Sequence, residues 1–114
     1  MRERREYVRL QVPVLIEFRN PDTQNLERSF THDISEGGLR FPSEVKLQVG
    51  QQLTLSVAFP FQASTFRATG EVVWVREVAR LGGPQYDAGL RFTWIEDPDR
   101  RQLLHQLQQF LPRV

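Results

Sequence analysis

The chain has no cysteine, and its 114 residues include only two histidines and a single lysine, Lys46. Without cysteine, neither disulfide bonds nor thiolate metal sites can form, so nothing in the sequence requires an oxidising compartment. No apolar run approaches the roughly 18 residues that a membrane-spanning helix needs. Residues 1–10 are charged and lack the apolar segment of a secretory signal. We therefore expect a cytoplasmic protein with no direct membrane insertion.

Patterns typical of catalysis are also scarce. His32 and His105 lie far apart, and neither has metal-ligand spacing with another His, Asp or Glu. His32 adjoins Asp33, but neighbours on a strand point to opposite faces and cannot form a catalytic pair there. The sequence has no Gly-rich phosphate loop before a helix and no nucleophile elbow. We predict no enzyme activity, no metal and no cofactor.

Arginine, in contrast, is abundant. Every one of the 15 basic residues except Lys46 is an arginine, yet the formal net charge is only +1. So small a net charge argues against binding to DNA by bulk electrostatics. A G+C-rich genome would give the same preference for arginine over lysine. A charged N-terminal tail without a function would also account for the arginines near the N-terminus. The clustering of Arg4, Arg5 and Arg9 before the first strand still needs an explanation.

Strand patterns dominate the rest of the chain. Apolar residues alternate in VPVLIEF, in KLQVGQQLTLSVAF and in TFRATGEVVWVREV, with short polar connections between the runs. In the third run, alternation places Phe66, Val72 and Trp74 on one face. These patterns predict a mainly β fold with six or seven strands, which we interpret as a six-stranded antiparallel β-barrel over residues 12–95.

One amphipathic α-helix is predicted at the C-terminal end, over residues 97–111. Asp97 is a suitable N-cap, and Pro98 suits the first helical position. The spacing of the apolar residues predicts one continuous face. That face consists of Leu103, Leu104, Leu107, Phe110 and Leu111. We expect the helix to cover an open end or side of the barrel.

The stretch DISEGG, residues 33–38, carries polar groups that suit a ligand. Asp33 and Ser35 are two residues apart, so on a strand they face the same way. Gly37 and Gly38 would let the backbone approach a ligand or adopt a positive φ. A plain turn at the end of a strand would use the same residue types, and that interpretation stays open here.

A guanosine nucleotide would satisfy both clusters. Arginines such as Arg5 and Arg9 pair with phosphate and with guanine O6 and N7, and they can stack on the base. The Watson–Crick edge of guanine offers N1–H and N2–H₂ donors, which a carboxylate such as Asp33 would accept.

The order Arg5-x-x-x-Arg9 and then Asp33-x-Ser35-x-x-Gly38 resembles the paired motifs of the PilZ domain family, bacterial receptors for cyclic di-GMP. The segments GEVVWV and YDAGLRF also resemble late strands of the family. The resemblance covers residues 1–114 as a single PilZ domain and implies that residues 1–11 form a flexible ligand-binding loop.

The resemblance also implies roles for individual residues. Arg5 and Arg9 would grip the phosphates and guanine edges of cyclic di-GMP. Asp33 and Ser35 would bond a guanine and nearby polar atoms, and Gly38 would keep that surface open. In the family, an arginine just before the first motif accompanies two intercalated ligand molecules. Arg4 holds this position.

Two further residues are secondary candidates, Gly37 and Trp74. Trp74 matches a frequent aromatic near the family's site, although core packing would account for it equally well. The resemblance further implies that ligand binding orders the N-terminal loop and passes the signal to an unidentified effector protein, in motility or biofilm regulation. A small barrel that binds single-stranded nucleic acid and a ligand-independent interaction domain are the alternatives.

Overall fold

The computed structural model describes residues 9–60 and 65–110. These residues form seven β-strands and one α-helix: β1 Leu15–Arg19, β2 Leu26–Phe30, β3 Asp33–Ile34, β4 Gly38–Ser43, β5 Gln52–Ala58, β6 Phe66–Val78, β7 Gln85–Ile95 and α1 Asp97–Phe110. The mainly β fold with a C-terminal helix is confirmed, with seven strands instead of six. Most of the predicted N-terminal loop, residues 1–8, lies outside the described residues.

The additional strand arises because the segment ERSFTHDI, residues 27–34, divides at Thr31 into two strands. The Thr31 hydroxyl accepts a hydrogen bond from the Val14 amide and donates one to the Val12 carbonyl, both at 3.1 Å. Beyond this anchor the chain leaves β1, and Asp33–Ile34 pairs with β4. The division brings Asp33 onto a different part of the sheet from β2.

The seven strands form one antiparallel sheet in the order β2-β1-β5-β6-β7-β4-β3. The sheet curls into a half-barrel, and β2 approaches β4 without a backbone ladder among the described residues. A side chain spans this gap, since the Ser29 hydroxyl donates to the Pro42 carbonyl at 2.6 Å. The strongly curved sheet encloses one core and leaves its outer face to solvent.

The core follows the predicted alternation of the strands. Leu53, Leu55 and Val57 of β5 are buried, while the residues between them face outward. α1 packs on the same core through Leu103 and Leu107. Apolar side chains on one face of each element therefore hold the sheet and the helix together.

Trp74 departs from this alternation, and the prediction that it shares a face with Phe66 and Val72 is wrong. Val72 pairs with Leu90, but Trp74 pairs with Gly89, so β6 carries one extra residue at Val73. An inserted residue of this kind is a β-bulge, which re-aims the side chains that follow it. Val72 is buried, whereas Trp74 is 37% exposed on the outer face.

The C-terminal helix also contacts the loop that follows β3. Nη1 of Arg100 lies 3.6 Å from Oε2 of Glu36, in the middle of the DISEGG stretch. The side chain of Phe110 and the whole of Leu111, both predicted on the apolar face, lie outside the described residues. Among the described residues, no helix is long and apolar enough to span a membrane.

Candidate functional site

Four neighbouring strands place one row of residues on the outer face of the sheet. The cross-strand pairs are Asp33 with Arg40, Arg40 with Gly89, and Gly89 with Trp74. Residues directly opposite each other in an antiparallel sheet share a face and lie close together. The row lines an open cleft of about 520 Å³. Four of the predicted site residues also line it: Arg9, Ser35, Gly37 and Gly38.

Asp33 is the charged centre of the cleft. Its side chain is only 5% exposed, and each carboxylate oxygen faces an arginine. Nη1 of Arg9 donates to Oδ1 at 2.9 Å, and Nε of Arg40 donates to Oδ2 at 3.1 Å. A buried carboxylate is tolerated only when it is paired and hydrogen-bonded in this way. The cleft therefore combines a nearly buried anion with two partly exposed cations.

Backbone pairing positions Arg9 beside this carboxylate. The Leu10 amide donates to the Ile34 carbonyl at 2.8 Å, and the Ile34 amide donates back to the Leu10 carbonyl at 3.0 Å. Leu10 and Ile34 form an antiparallel pair, so Arg9 lies opposite Ser35. Asp33 and Ser35 share a face of the strand, and the long Arg9 side chain reaches Asp33 on that face. Sequence spacing brought Arg9 and Asp33 together as candidates, and the structure brings them into contact. Arg4 and Arg5 lie outside the described residues.

Ser35 shapes the loop at one end of the cleft. Its hydroxyl accepts a hydrogen bond from the Gly37 amide at 3.2 Å, and its backbone amide donates to the Gly38 carbonyl at 2.8 Å. The Gly37 carbonyl in turn accepts from the Phe92 amide at 2.9 Å, which fixes the loop to β7. A serine hydroxyl that bonds to the backbone two residues on is typical of a tight turn. The open interpretation of DISEGG as turn chemistry thus holds alongside its place in the cleft.

The packing of β4 against β7 gives a further reason for glycine at position 38. A Cβ at this position would lie 2.1 Å from the Leu90 carbonyl oxygen, a backbone atom of the neighbouring strand β7. Gly38 has no positive φ, so the positive-φ alternative does not apply to it. Close approach of two backbones, which only glycine permits, accounts for the residue.

The bulge in β6 brings Trp74 into the cleft. Its indole lies across Gly89, where a Cβ would stand 2.1 Å from the Trp74 Nε1 atom. The partly exposed ring is one wall of the cleft, with Arg40 on the other side of Gly89 in the same row. An exposed aromatic face beside a guanidinium is a suitable surface for a planar base.

Sequence reasoning missed two residues of the cross-strand row, Arg40 and Gly89. Arg40 lies between Leu39 and Phe41, so alternation alone would have turned it outward. Its contact with Asp33 depends on the register of β3 against β4, which the pattern of apolar residues does not reveal. No sequence pattern pointed to Gly89, because its importance depends on the position of the Trp74 ring.

A second polar cluster lies on β6 and β7 near the cleft. Asp87 contacts Nε2 of His32 through Oδ1 and Nη2 of Arg76 through Oδ2, both at 3.0 Å. Burial by itself would raise the pKa of Asp87, but the hydrogen bonds and charges of His32 and Arg76 outweigh burial, and the pKa is lowered. His32 is thus paired with Asp87, whereas Asp33 is paired with Arg9 and Arg40. No group of three potential metal ligands occurs within residues 9–60 and 65–110.

Comparison with solved structures shows which proteins share this fold. The PilZ domain of YcgR from Escherichia coli with c-di-GMP is 20% identical, with a TM-score of 0.73 over 94% of this chain and 91% of that one. MrkH from K. pneumonia, in a complex with c-di-GMP, is 16% identical, with a TM-score of 0.77 over 94% of this chain and 52% of that one. The Bacillus subtilis inhibitor of motility, MotI/DgrA, is 20% identical, with a TM-score of 0.73 over 97% of this chain and 53% of that one.

The chain spans about half the length of MrkH and MotI. No curated protein matches its sequence. The sequence model of the PilZ domain, in contrast, matches residues 3–109, which include every strand and nearly all of the helix. The chain belongs to the PilZ domain family.

Proposed function

We propose that the chain is a cyclic di-GMP receptor that binds its ligand in the cleft around Asp33. PilZ domains are receptors for this dinucleotide and not enzymes, which agrees with the prediction of no catalytic activity. The observation that carries the proposal is the nearly buried Asp33 carboxylate, flanked by two arginines and close to an exposed tryptophan in one cleft. The cleft thus offers a guanine nucleotide a carboxylate that accepts hydrogen bonds, two guanidiniums that donate them, and an aromatic face on which a base can stack.

Each group of the cleft would take a different part of the ligand. The Asp33 carboxylate would accept the N1–H and N2–H₂ donors of one guanine, and the Trp74 ring would stack on a base. Arg9 would bind phosphate oxygens or a guanine edge, together with Arg5 from the segment before it. Ser35 and Gly38 would hold the loop and the strand that shape the cleft, with Gly37 at its rim.

Isothermal titration calorimetry with cyclic di-GMP tests the proposal, and Asp33→Asn tests the site. An asparagine presents one acceptor oxygen and one NH₂ group to the guanine edge, so we expect the Kd to rise roughly tenfold to a hundredfold. Asp87→Asn is the matched control, because Asp87 is also nearly buried and paired with an arginine but lies outside the cleft. We expect its affinity to stay within about twofold of wild type.

The same titration distinguishes the alternatives. Saturable binding of cyclic di-GMP, with no binding of a single-stranded oligonucleotide, supports the receptor. Binding of the oligonucleotide alone would mean a nucleic-acid-binding barrel, and binding of neither would mean a ligand-independent interaction domain. An equal loss of affinity in Asp33→Asn and Asp87→Asn would contradict the assignment of the cleft.

We further propose that two ligand molecules bind per chain, with Arg4 as the residue that decides the number. A second, stacked molecule adds two phosphate charges, which an additional guanidinium would neutralise. Wild-type protein should therefore titrate with about two ligands per chain, and Arg4→Leu should titrate with about one. An unchanged ratio would remove this role from Arg4 without affecting the binding site at Asp33.

The output of the receptor is proposed to be a protein contact. Closure of the segment that carries Arg4 and Arg5 onto the bound ligand would change the surface beside the cleft, and an effector protein would recognise that surface. The ligand can drive this change only if it binds the closed state more tightly than the open one. Capture of an effector on immobilised protein, with and without cyclic di-GMP, tests this proposal.

A further inference from the structure

We propose that Arg40 occupies the place on Asp33 where a guanine edge would bind, and that it competes with the ligand for this carboxylate. The inference rests on the proposed function and adds to it a residue that sets affinity. Arg40 lies in the same cross-strand row as Asp33 and Gly89, directly beside the carboxylate.

The contacts of Asp33 show how its acceptor capacity is used. Nε and Nη2 of Arg40 lie 3.1 Å and 3.0 Å from the same oxygen, Oδ2. The other oxygen, Oδ1, accepts one hydrogen bond, from Nη1 of Arg9 at 2.9 Å. A carboxylate has about four lone-pair positions, two on each oxygen. The Nε–H bond and the neighbouring Nη2 group place the Arg40 guanidinium over Oδ2, whereas Oδ1 accepts a single hydrogen bond.

A guanine edge needs more than this. Its N1–H and N2–H₂ donors lie side by side, and the carboxylate that accepts both must offer one position on each oxygen. Oδ1 accepts only one hydrogen bond in the free protein, but Oδ2 can accept a guanine donor only if the Arg40 guanidinium, with its Nε–H, moves away from it. The guanine edge and the Arg40 guanidinium therefore compete for the same place at Oδ2.

Arg40 is free to make this exchange. Its side chain is 38% exposed, whereas the side chain of Asp33 is 5% exposed, so the arginine can move into solvent and the carboxylate cannot. Withdrawal of Arg40 leaves Asp33 with Arg9 and the guanine as partners, which avoids an unpaired buried charge. The displaced guanidinium stays beside the anionic ligand, so the cost of breaking the ion pair is partly recovered.

Arg40→Lys tests the planar geometry of the guanidinium separately from its positive charge. Lysine keeps the positive charge in the cleft, but its single ammonium cannot place two donors of a planar fork on Oδ2. We therefore expect the Kd for cyclic di-GMP to fall by about twofold to fivefold, the range of a partly exposed ion pair. Arg28→Lys is the matched control, since Arg28 is also paired, with Glu17, and does not line the cleft. Its affinity should equal that of wild type.

Nuclear magnetic resonance gives a second readout that a purely structural role of Arg40 would not move. In the free protein, the hydrogen bond to Asp33 should slow the exchange of the Arg40 Nε–H proton with water. Addition of cyclic di-GMP should remove this protection. We assign the signal by its loss in Arg40→Lys, and the Nε–H of Arg28 serves as the internal reference.

The outcomes are distinct. Tighter binding by Arg40→Lys, together with loss of Nε–H protection in the wild-type complex, supports the competition. Unchanged or weaker binding by Arg40→Lys, or a protected Nε–H in the complex, would overturn it, while the receptor function stands as long as wild type binds. If neither wild type nor any variant binds cyclic di-GMP, the proposed function fails and the role of Arg40 falls with it.

Discussion

Trp74 can lie across β7 because residue 89 has no side chain. A Cβ at Gly89 would lie 2.1 Å from Nε1 of the indole, so Gly89→Ala must lift the ring away from the sheet. We expect the Kd for cyclic di-GMP to rise about tenfold, since stacking of one base on an aromatic ring is worth about 1–3 kcal/mol. Calorimetry measures the affinity, and the fluorescence of Trp74 in a Trp94→Phe background reports the displacement of the ring.

Gly38→Ala is the comparison for this substitution, because its Cβ would meet a backbone atom and not a mobile side chain. The Leu90 carbonyl oxygen would lie 2.1 Å away and belongs to β7, which cannot move without disturbing the ladder. We expect Gly38→Ala to lower the free energy of unfolding by about 1–3 kcal/mol, as overpacking does, and Gly89→Ala to change it by less. Equal stability of Gly38→Ala and wild type in urea denaturation would contradict the assigned backbone contact.

The chemistry of single residues was more predictable than their contacts. Arg9, Asp33 and Ser35 could be named from residue type and spacing, because a guanine nucleotide needs acceptors and cations of those kinds. Arg40 could not be named, since its contact with Asp33 requires the register of β3 on β4. Alternation with Leu39 and Phe41 predicts that Arg40 faces outward, but it does not say which residue of β3 lies opposite Arg40.

The cluster around Asp87 links three parts of the chain at the scale of whole elements. Asp87 of β7 contacts Arg76 of β6 and His32, which precedes β3. Because its pKa in the folded protein is below the ordinary 3.8, the carboxylate stabilises the fold above that pH. This stabilisation is lost as the pH falls through the lowered pKa. Asp87→Asn should therefore cost about 1–3 kcal/mol at pH 7, and the cost should shrink below pH 3.8.

Urea denaturation of both proteins at several pH values between 7 and 3 measures this difference. Asp22→Asn, in the exposed turn after β1, is the control for a general effect of removing one carboxylate. A cost of Asp87→Asn that stays constant over the whole range would mean that the charge of Asp87 does not stabilise the fold.

Periodicity described the inward face of each strand but not the bulge in β6. Alternate residues from Phe66 to Val72 are buried as the pattern predicts, and the pattern then fails at Val73. A bulge adds one residue to one strand and changes neither composition nor hydrophobicity, so a sequence pattern has nothing by which to detect it. The irregularity that could not be predicted is the one that turns Trp74 into the candidate site.

At the scale of the whole molecule, the core and the cleft occupy opposite faces of one curled sheet. Leu55, Val57 and Leu103 stabilise the fold from inside, whereas Arg9 and Arg40 lie on the outer face and are partly exposed. The stability of the free protein and its affinity for the ligand should therefore vary independently for most substitutions. Asp33 is the exception, because it is buried and also lines the cleft.

Arg9→Ala tests this independence in a thermal denaturation experiment. A ligand at 100 times its Kd adds about 2.7 kcal/mol to the stability of the protein. For a domain of this size that should raise the Tm of wild type by roughly 10 °C. Arg9 is 51% exposed on its side chain and Asp33 retains Arg40, so the Tm of the free variant should fall by no more than a few degrees. The rise with cyclic di-GMP should be lost. A free variant that melts far below wild type would instead show that the fold depends on Arg9, because the Arg9–Asp33 pair would then stabilise the sheet edge in the absence of ligand.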